Sequence, residues 1–191
     1  CNEFYNSKTK ERINLYNNSH NTLDQEHIIN GSKIPKLTKL FNQINWKDIN
    51  NGIPVRFHGD LHFENIILGN QFKLLDWRQS FAGNLKYGDL FYDLAKLKHG
   101  MYISHKLINN NLYEISVTGQ IVNLEYLRSS VHIDIENRFD EFCIKNKINI
   151  EKVNILTSLI FLNIAALHHY PYSKFLYFLG KKFLYNTLYH K

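Results

Sequence analysis

The apolar positions fall into short, punctuated runs rather than one long periodic stretch. Residues 1–30 are mostly polar, with one amphipathic turn and a half around Phe4, Tyr5, Arg12, Ile13 and Tyr16, and 17–21 reads as a loop. After Pro35, which suits the first turn of a helix, Leu37, Leu40, Phe41 and Ile44 recur at helical spacing. Asn50-Asn51-Gly52 signals a turn, and 54–57 reads as a short strand. The apolar runs 65–68 and 72–75 flank Gly69-Asn70-Gln71, which predicts a hairpin. A turn-rich stretch over 80–88 leads to Asp89, placed to accept backbone N–H bonds at the head of a helix. That helix carries Leu90, Leu94, Leu97 and Met101 on one face. Runs 112–117 and 120–124 flank Thr118-Gly119 and predict a second, exposed hairpin. Helices are expected over 125–147, 150–168 and 173–190, with Pro171 punctuating the last two. The pattern predicts an α+β fold, mostly α, with two small hairpins and no parallel sheet.

Composition narrows the class. At 191 residues and 44% hydrophobic, the chain can bury a core and is not expected to be disordered. Cys1 and Cys143 cannot make a disulfide framework, and no signal-peptide pattern opens the chain, so a reducing cytoplasm is the expected location. The most apolar stretch, 153–167, holds Asn154, Thr157, Ser158 and Asn163 and is too short and polar to span a bilayer. The net charge is +6. Its lysines are scattered without a run, and Asn, Ile and Lys make up about a third of the chain, as AT-rich coding would produce. Neither a nucleic-acid nor a membrane partner is expected. The chain starts at Cys1 and its only methionine is Met101. A piece of a longer protein is therefore expected, with a trimmed N-terminus as the alternative.

The chemistry concentrates in His58-Gly59-Asp60-Leu61-His62-Phe63-Glu64-Asn65, followed by Asp76 and then Gly88-Asp89-Leu90-Phe91-Tyr92-Asp93-Leu94-Ala95. Asp60 and Asn65 stand at D-x-x-x-x-N. In phosphoryl transfer that spacing pairs a carboxylate at the attacking hydroxyl with a metal-holding amide, while a later Asp binds Mg²⁺. The reaction needs positioning and charge neutralisation more than covalent chemistry. A tight loop can point Asp60 and Asn65 into one cleft, and a hairpin after it can return Asp76 to the same ion.

This segment resembles the aminoglycoside phosphotransferase and choline kinase superfamily, whose signature is His-Gly-Asp, four residues, then Asn. The likeness extends to the later Asp and to Gly-Asp-x-x-x-Asp-Leu-Ala, and covers about 57–98. Phe4-Tyr5, Lys8-Thr9 and Arg12 also look like a subgroup linked to bacterial surface-polysaccharide genes. The resemblance implies a protein-kinase-like C-terminal lobe with short β-hairpins, the N-terminal nucleotide lobe being absent. It divides one structural domain into a helical lead-in (1–52), a catalytic loop with metal-binding hairpin and helix (53–108), and a hairpin plus substrate-side helices (109–191). It implies Asp60 as catalytic base or hydroxyl-orienting carboxylate, Asn65 and Asp76 as Mg²⁺ ligands, and ATP as phosphate donor to a small alcohol such as choline or a sugar. His58 and Asp89 are implied as structural supports, Asp89 through loop amides, with Asp93 either alike or facing solvent. The partner implied is the missing lobe of the same polypeptide. No G-x-G-x-x-G loop or strand lysine in a V-A-I-K context is present, and Asp76-Trp77-Arg78 stands where protein kinases have Asp-Phe-Gly.

Other residues keep two readings. His62 contacts phosphate or substrate, or packs the loop. Arg78 neutralises phosphate or makes a surface ion pair. His168 and His169 line an acceptor pocket or merely end an apolar helix. Asp134, Glu136, Asp140 and Glu141 attract a cationic acceptor or face solvent. For the whole chain, the alternatives to a small-molecule phosphotransferase are an inert kinase-like binding module and a protein kinase. Against the last, His-Gly-Asp replaces His-Arg-Asp and no Ala-Pro-Glu follows.

Overall fold

The computed structural model describes residues 1–190, the His105 side chain excepted. Helices take about 53% of the chain, and the class is α+β with small sheets. A π-helical turn, Glu3–Ser7, runs into α1 (Lys8–His20). The hairpin β1 (His27–Ile29) and β2 (Ser32–Ile34) follows, then α2 (Leu37–Gln43), α3 (Trp46–Ile49) and β3 (Pro54–Val55). A 3-10 turn, Phe63–Asn65, enters the hairpin β4 (Ile66–Leu68) and β5 (Phe72–Leu74). Then come β6 (Gly88–Asp89), α4 (Leu90–Tyr102), α5 (His105–Asn109), β7 (Tyr113–Thr118) and β8 (Ile121–Tyr126). Three helices close the chain: α6 (Ser130–Lys145), α7 (Ile150–Ala165) and α8 (Tyr172–Tyr189).

The core is organised around α7. This helix is apolar on nearly every side, and such a helix must be covered all round. α8, α4, α1 and α6 all pack on it. Val153, Phe161, Leu162 and Ala165 are fully buried. Its hydroxyls are satisfied locally: Thr157 Oγ1 donates to the Val153 and Ala95 carbonyls, and Ser158 Oγ to Asn154 O. Asn149 caps the helix by accepting from Lys152 N. The Lys152 ammonium donates to the carbonyls of Asp48 (2.9 Å) and Asn51 (2.7 Å), serving the open C-terminal end of α3. α7 and α8 approach so closely at Gly180 that a Cβ there would lie 3.0 Å from Leu162 Cγ and Phe161 Cβ.

The strands differ from the sequence expectation in one important respect. β7–β8 is not an isolated exposed hairpin. It joins β1–β2 in a four-stranded sheet ordered β2-β1-β8-β7, with β1 parallel to β8 and Ile29 opposite Val122. Val122 and Ile29 are both fully buried, which accounts for the pairing. Asn30 (φ 46°) extends it: its side-chain amide donates to Leu124 O (2.8 Å) and accepts from Leu124 N (2.9 Å), substituting for a strand residue. The expectation of no parallel sheet fails here: Ile28 N and Asn30 N bond to the Gln120 and Val122 carbonyls, a long-range pairing that periodicity within either segment does not signal.

Other boundaries moved. The expected 17–21 loop is helical to His20 and ends at Asn21 in the left-handed conformation, a common helix stop. The helix expected from 125 starts at Ser130, because Glu125 and Tyr126 complete β8 against β7. Of the residues read as one face of α4, Met101 is buried and Leu90, Leu94 and Leu97 are half-buried. The helix also buries Phe91, Tyr92 and Ala95 together with Asp93, Lys96 and Lys98. Asp93 and Lys96 face the 58–60 loop, whereas Lys98 pairs with Asp140 of α6.

Candidate functional site

The His58-Gly59-Asp60 loop lies over the N-terminal half of α4. Asp93, in the first turn, accepts hydrogen bonds from the backbone N–H of His58 and of Gly59, both at 2.7 Å and buried. Burial works to raise the Asp93 pKa and the two amides to lower it, and the carboxyl sits above its usual value. Gly59 has φ 81°, and a Cβ there would lie 2.5 Å from Arg78 Cβ, so only glycine fits the turn. Asp60 N then donates to His58 Nδ1 (3.2 Å), while the His58 ring lies 4.9 Å from Trp77. His58 is thus a brace held inside the loop.

Asp60 leaves this loop half-exposed. Its Oδ1 pairs with Lys96 Nζ at 2.7 Å, and its Oδ2 lies 3.5 Å from His62 Nε2. Partial burial raises its pKa, but the positive charges of Lys96, His62 and Arg78 outweigh that, and the carboxyl ends below the ordinary carboxylate value. Lys96 was not singled out in the sequence. The available signal was spacing, since Asp89, Asp93 and Lys96 recur at four and three residues and share one helix face.

Asn65 Nδ2 donates to the Asp60 carbonyl at 2.9 Å and lies 3.2 Å from His62 Nε2. His62 Nδ1 lies 2.8 Å from Glu64 Oε2, so His62 packs the loop through Glu64 and Asn65 while facing Asp60. The chain on either side of Asp76 is bonded to this loop: Leu75 N to Asn65 O (2.9 Å) and Arg78 N to His58 O (2.8 Å). Asp76 itself has φ 55°, is exposed, and makes no hydrogen bond or ion pair among the described residues. The hairpin β4–β5 therefore returns the backbone next to Asp76 to Asn65. No three His, Cys, Asp or Glu side chains among the described residues form a metal-binding group. Asn65 and Asp76 each carry an oxygen donor of the kind that Mg²⁺ takes.

The remaining supports sort differently from expectation. Asp89 does not reach the His58–Asp60 loop. It accepts from Ile53 N (2.9 Å), Phe91 N (3.2 Å) and Tyr5 Oη (2.6 Å), tying the N-terminal segment and β3 to the head of α4. Asp93, left open by the sequence, is the residue that holds the loop amides. Glu136 and Asp140 are neither a trap for a cationic acceptor nor a solvated face. Asp140 pairs with fully buried Lys98 at 2.6 Å, and Glu136 with Arg128 at 2.6 Å and with the Tyr102 hydroxyl.

Two clefts meet at the Asp60–Lys96 pair. One, of about 420 Å³, lies between the N-terminal helix and α7 and takes in Lys8, Arg12, Arg78 and Asn163. The other, of about 380 Å³, takes in His62, Glu64, His99, His168 and Tyr172. His168 meets Tyr172 edge-on, ring centres 4.8 Å apart, and lines the second cleft, whereas His169 lines neither. Burial holds the His99 pKa well below its ordinary value, leaving the ring neutral. Among the described residues no helix is long and apolar enough to cross a membrane. Compared with protein-family models, curated proteins and solved structures, the chain matches none. Any functional reading stands on these residues.

Proposed function

We propose that this chain is the catalytic lobe of a phosphotransferase that moves the γ-phosphate of ATP to a hydroxyl of a small molecule. The observation that carries the reading is the single arrangement around Asp60. A carboxylate is fixed on a pinned loop between two clefts, with Asn65 and Asp76 brought beside that loop by the following hairpin. In the reaction the acceptor oxygen forms the new P–O bond, the bond to ADP breaks, and the hydroxyl proton passes to the Asp60 carboxylate. With its pKa held down, Asp60 is a weak base. Its contribution is to hold the hydroxyl in line and take the proton late, which suits a loose transition state. Lys96 keeps the carboxylate ionised and oriented. Asn65 and Asp76 would hold Mg²⁺, which supplies neutralising charge at the phosphates when bound. The reading assigns the grip on the nucleotide to chain outside these 191 residues.

The test is turnover of the full-length polypeptide with Mg-ATP over a panel of choline, ethanolamine, sugars and aminoglycosides. Asp60→Asn is expected to lower kcat by at least a hundredfold with the fold intact by circular dichroism. Unchanged kcat in that variant refutes the assignment.

A further inference from the structure

The first cleft carries more positive charge than orienting one carboxylate requires. Lys8, Arg12, Arg78 and Lys96 line it against the single carboxylate of Asp60. Lys96 is spent on Asp60. Among the described residues Lys8, Arg12 and Arg78 make no ion pair, although Glu3 and Glu11 lie along the adjoining groove that the same three cations line. Phe4 holds two of them together: Lys8 Nζ lies 4.5 Å and Arg78 Cζ 5.5 Å from its ring centre. The cost of that crowding shows in Lys8, whose pKa is lowered by burial and by the Arg78 and Arg12 charges. Opposite them, α7 supplies an apolar wall from Leu156, Ile160 and Ile164. Asn163 is the polar residue α7 adds to that lining, and its Oδ1, buried just beneath the surface, has no partner among the described residues. Its orientation is set, because Nδ2 donates to both Thr9 Oγ1 (2.6 Å) and Leu159 O (2.8 Å). Neither Asn65 nor Asp76 lines this cleft, so it lies on the acceptor side of Asp60.

We propose that this cleft binds a hydroxylated anion, an acceptor bearing a phosphate or carboxylate group, with Lys8, Arg12 and Arg78 holding the charge and Asn163 Oδ1 accepting from a hydroxyl. Three unpaired cations converging on a half-enclosed site are stabilised by an anion that pairs with them. An unpartnered buried acceptor beside them calls for a donor that the anion itself does not supply. The Asp60 carboxylate then receives the hydroxyl to be phosphorylated. This substrate class rests on the phosphotransfer reading, but the binding it requires does not depend on turnover.

The experiment is calorimetric titration of the protein with glycerol 3-phosphate, glycerate, glycerol and Mg-ADP. Glycerol 3-phosphate or glycerate is expected to bind at least tenfold more tightly than glycerol. Lys8→Gln and Arg12→Gln, which keep the aliphatic stems, are each expected to weaken that binding about tenfold without lowering the thermal midpoint. Glycerol binding as well as either anion overturns the proposal, and that comparison needs no variant. So does a loss of Mg-ADP binding alone in the two variants, which would assign the cations to the donor phosphates. Anion binding without turnover on any alcohol leaves this inference standing and removes the phosphotransfer reading. Turnover on uncharged alcohols without anion binding does the reverse.

Discussion

Asp93 is the residue on which the geometry of Asp60 depends most directly. Asp93→Ala removes both acceptors for the buried amides of His58 and Gly59, each now bonded at 2.7 Å. A hydrogen bond to a charged group contributes about 1.5–3 kcal/mol. The loss is offset in part because burying the carboxylate is itself unfavourable, as its raised pKa records. A net destabilisation of about 3 kcal/mol is expected, which for a domain of this size lowers Tm by roughly 6–12 °C. Asp93→Asn keeps one acceptor oxygen and sets an NH₂ against the other amide, so about half that effect is expected. The pH dependence separates this from generic loop damage. A carboxyl whose folded pKa exceeds its unfolded value binds more protons when folded, so the wild type loses stability as pH rises through that interval. Asp93→Asn has no proton to lose there. Its deficit against wild type is therefore expected to narrow as pH rises from about 4. The measurement is denaturant unfolding of the three proteins between pH 4 and 7. An Asp93→Ala midpoint equal to wild type, or a deficit independent of pH, refutes the claim that this carboxylate pins the loop.

Two further outcomes follow from the same geometry. Lys96→Met leaves the Asp60 carboxylate half-buried without its main counter-charge and is expected to cost about 1–3 kcal/mol at neutral pH. It should also raise the Asp60 pKa, read by NMR titration. In wild type the depressed pKa stabilises the fold above the normal carboxylate range and is lost as pH falls, so the variant should show a shallower acid limb; an unchanged one argues against the pair. Gly180→Ala places a Cβ 3.0 Å from Leu162 and Phe161 where α7 meets α8, and overpacking of about 1–3 kcal/mol is expected in thermal unfolding. A stability gain there would mean the two helices separate more easily than their packing implies.

Much of this protein was legible along the chain because the signals are local. The spacing of Leu37, Leu40 and Phe41 marked α2, and the apolar stretch 153–167 fell within a helix expected over 150–168, which is α7. Gly69-Asn70-Gln71 and Thr118-Gly119 placed both hairpins, and Asp89 does cap α4 by accepting from Phe91 N. D-x-x-x-x-N marked Asp60 and Asn65 as one loop, and the hairpin after it returns the chain so that Leu75 N bonds to Asn65 O. What tertiary structure decided are the contacts between segments far apart in sequence, where no local pattern distinguishes one partner from another. The Asn30 amide completes a parallel pairing with β8, 94 residues away. The two carboxylates of α4 have identical chemistry, yet Asp93 meets the loop and Asp89 meets Tyr5 and Ile53. Nothing local to Lys8 and Arg12 in sequence points to Arg78 and Asp60, beside which packing sets them. Periodicity specifies which face of an element is buried; only the packed molecule specifies against what, and there the charges of this site were chosen.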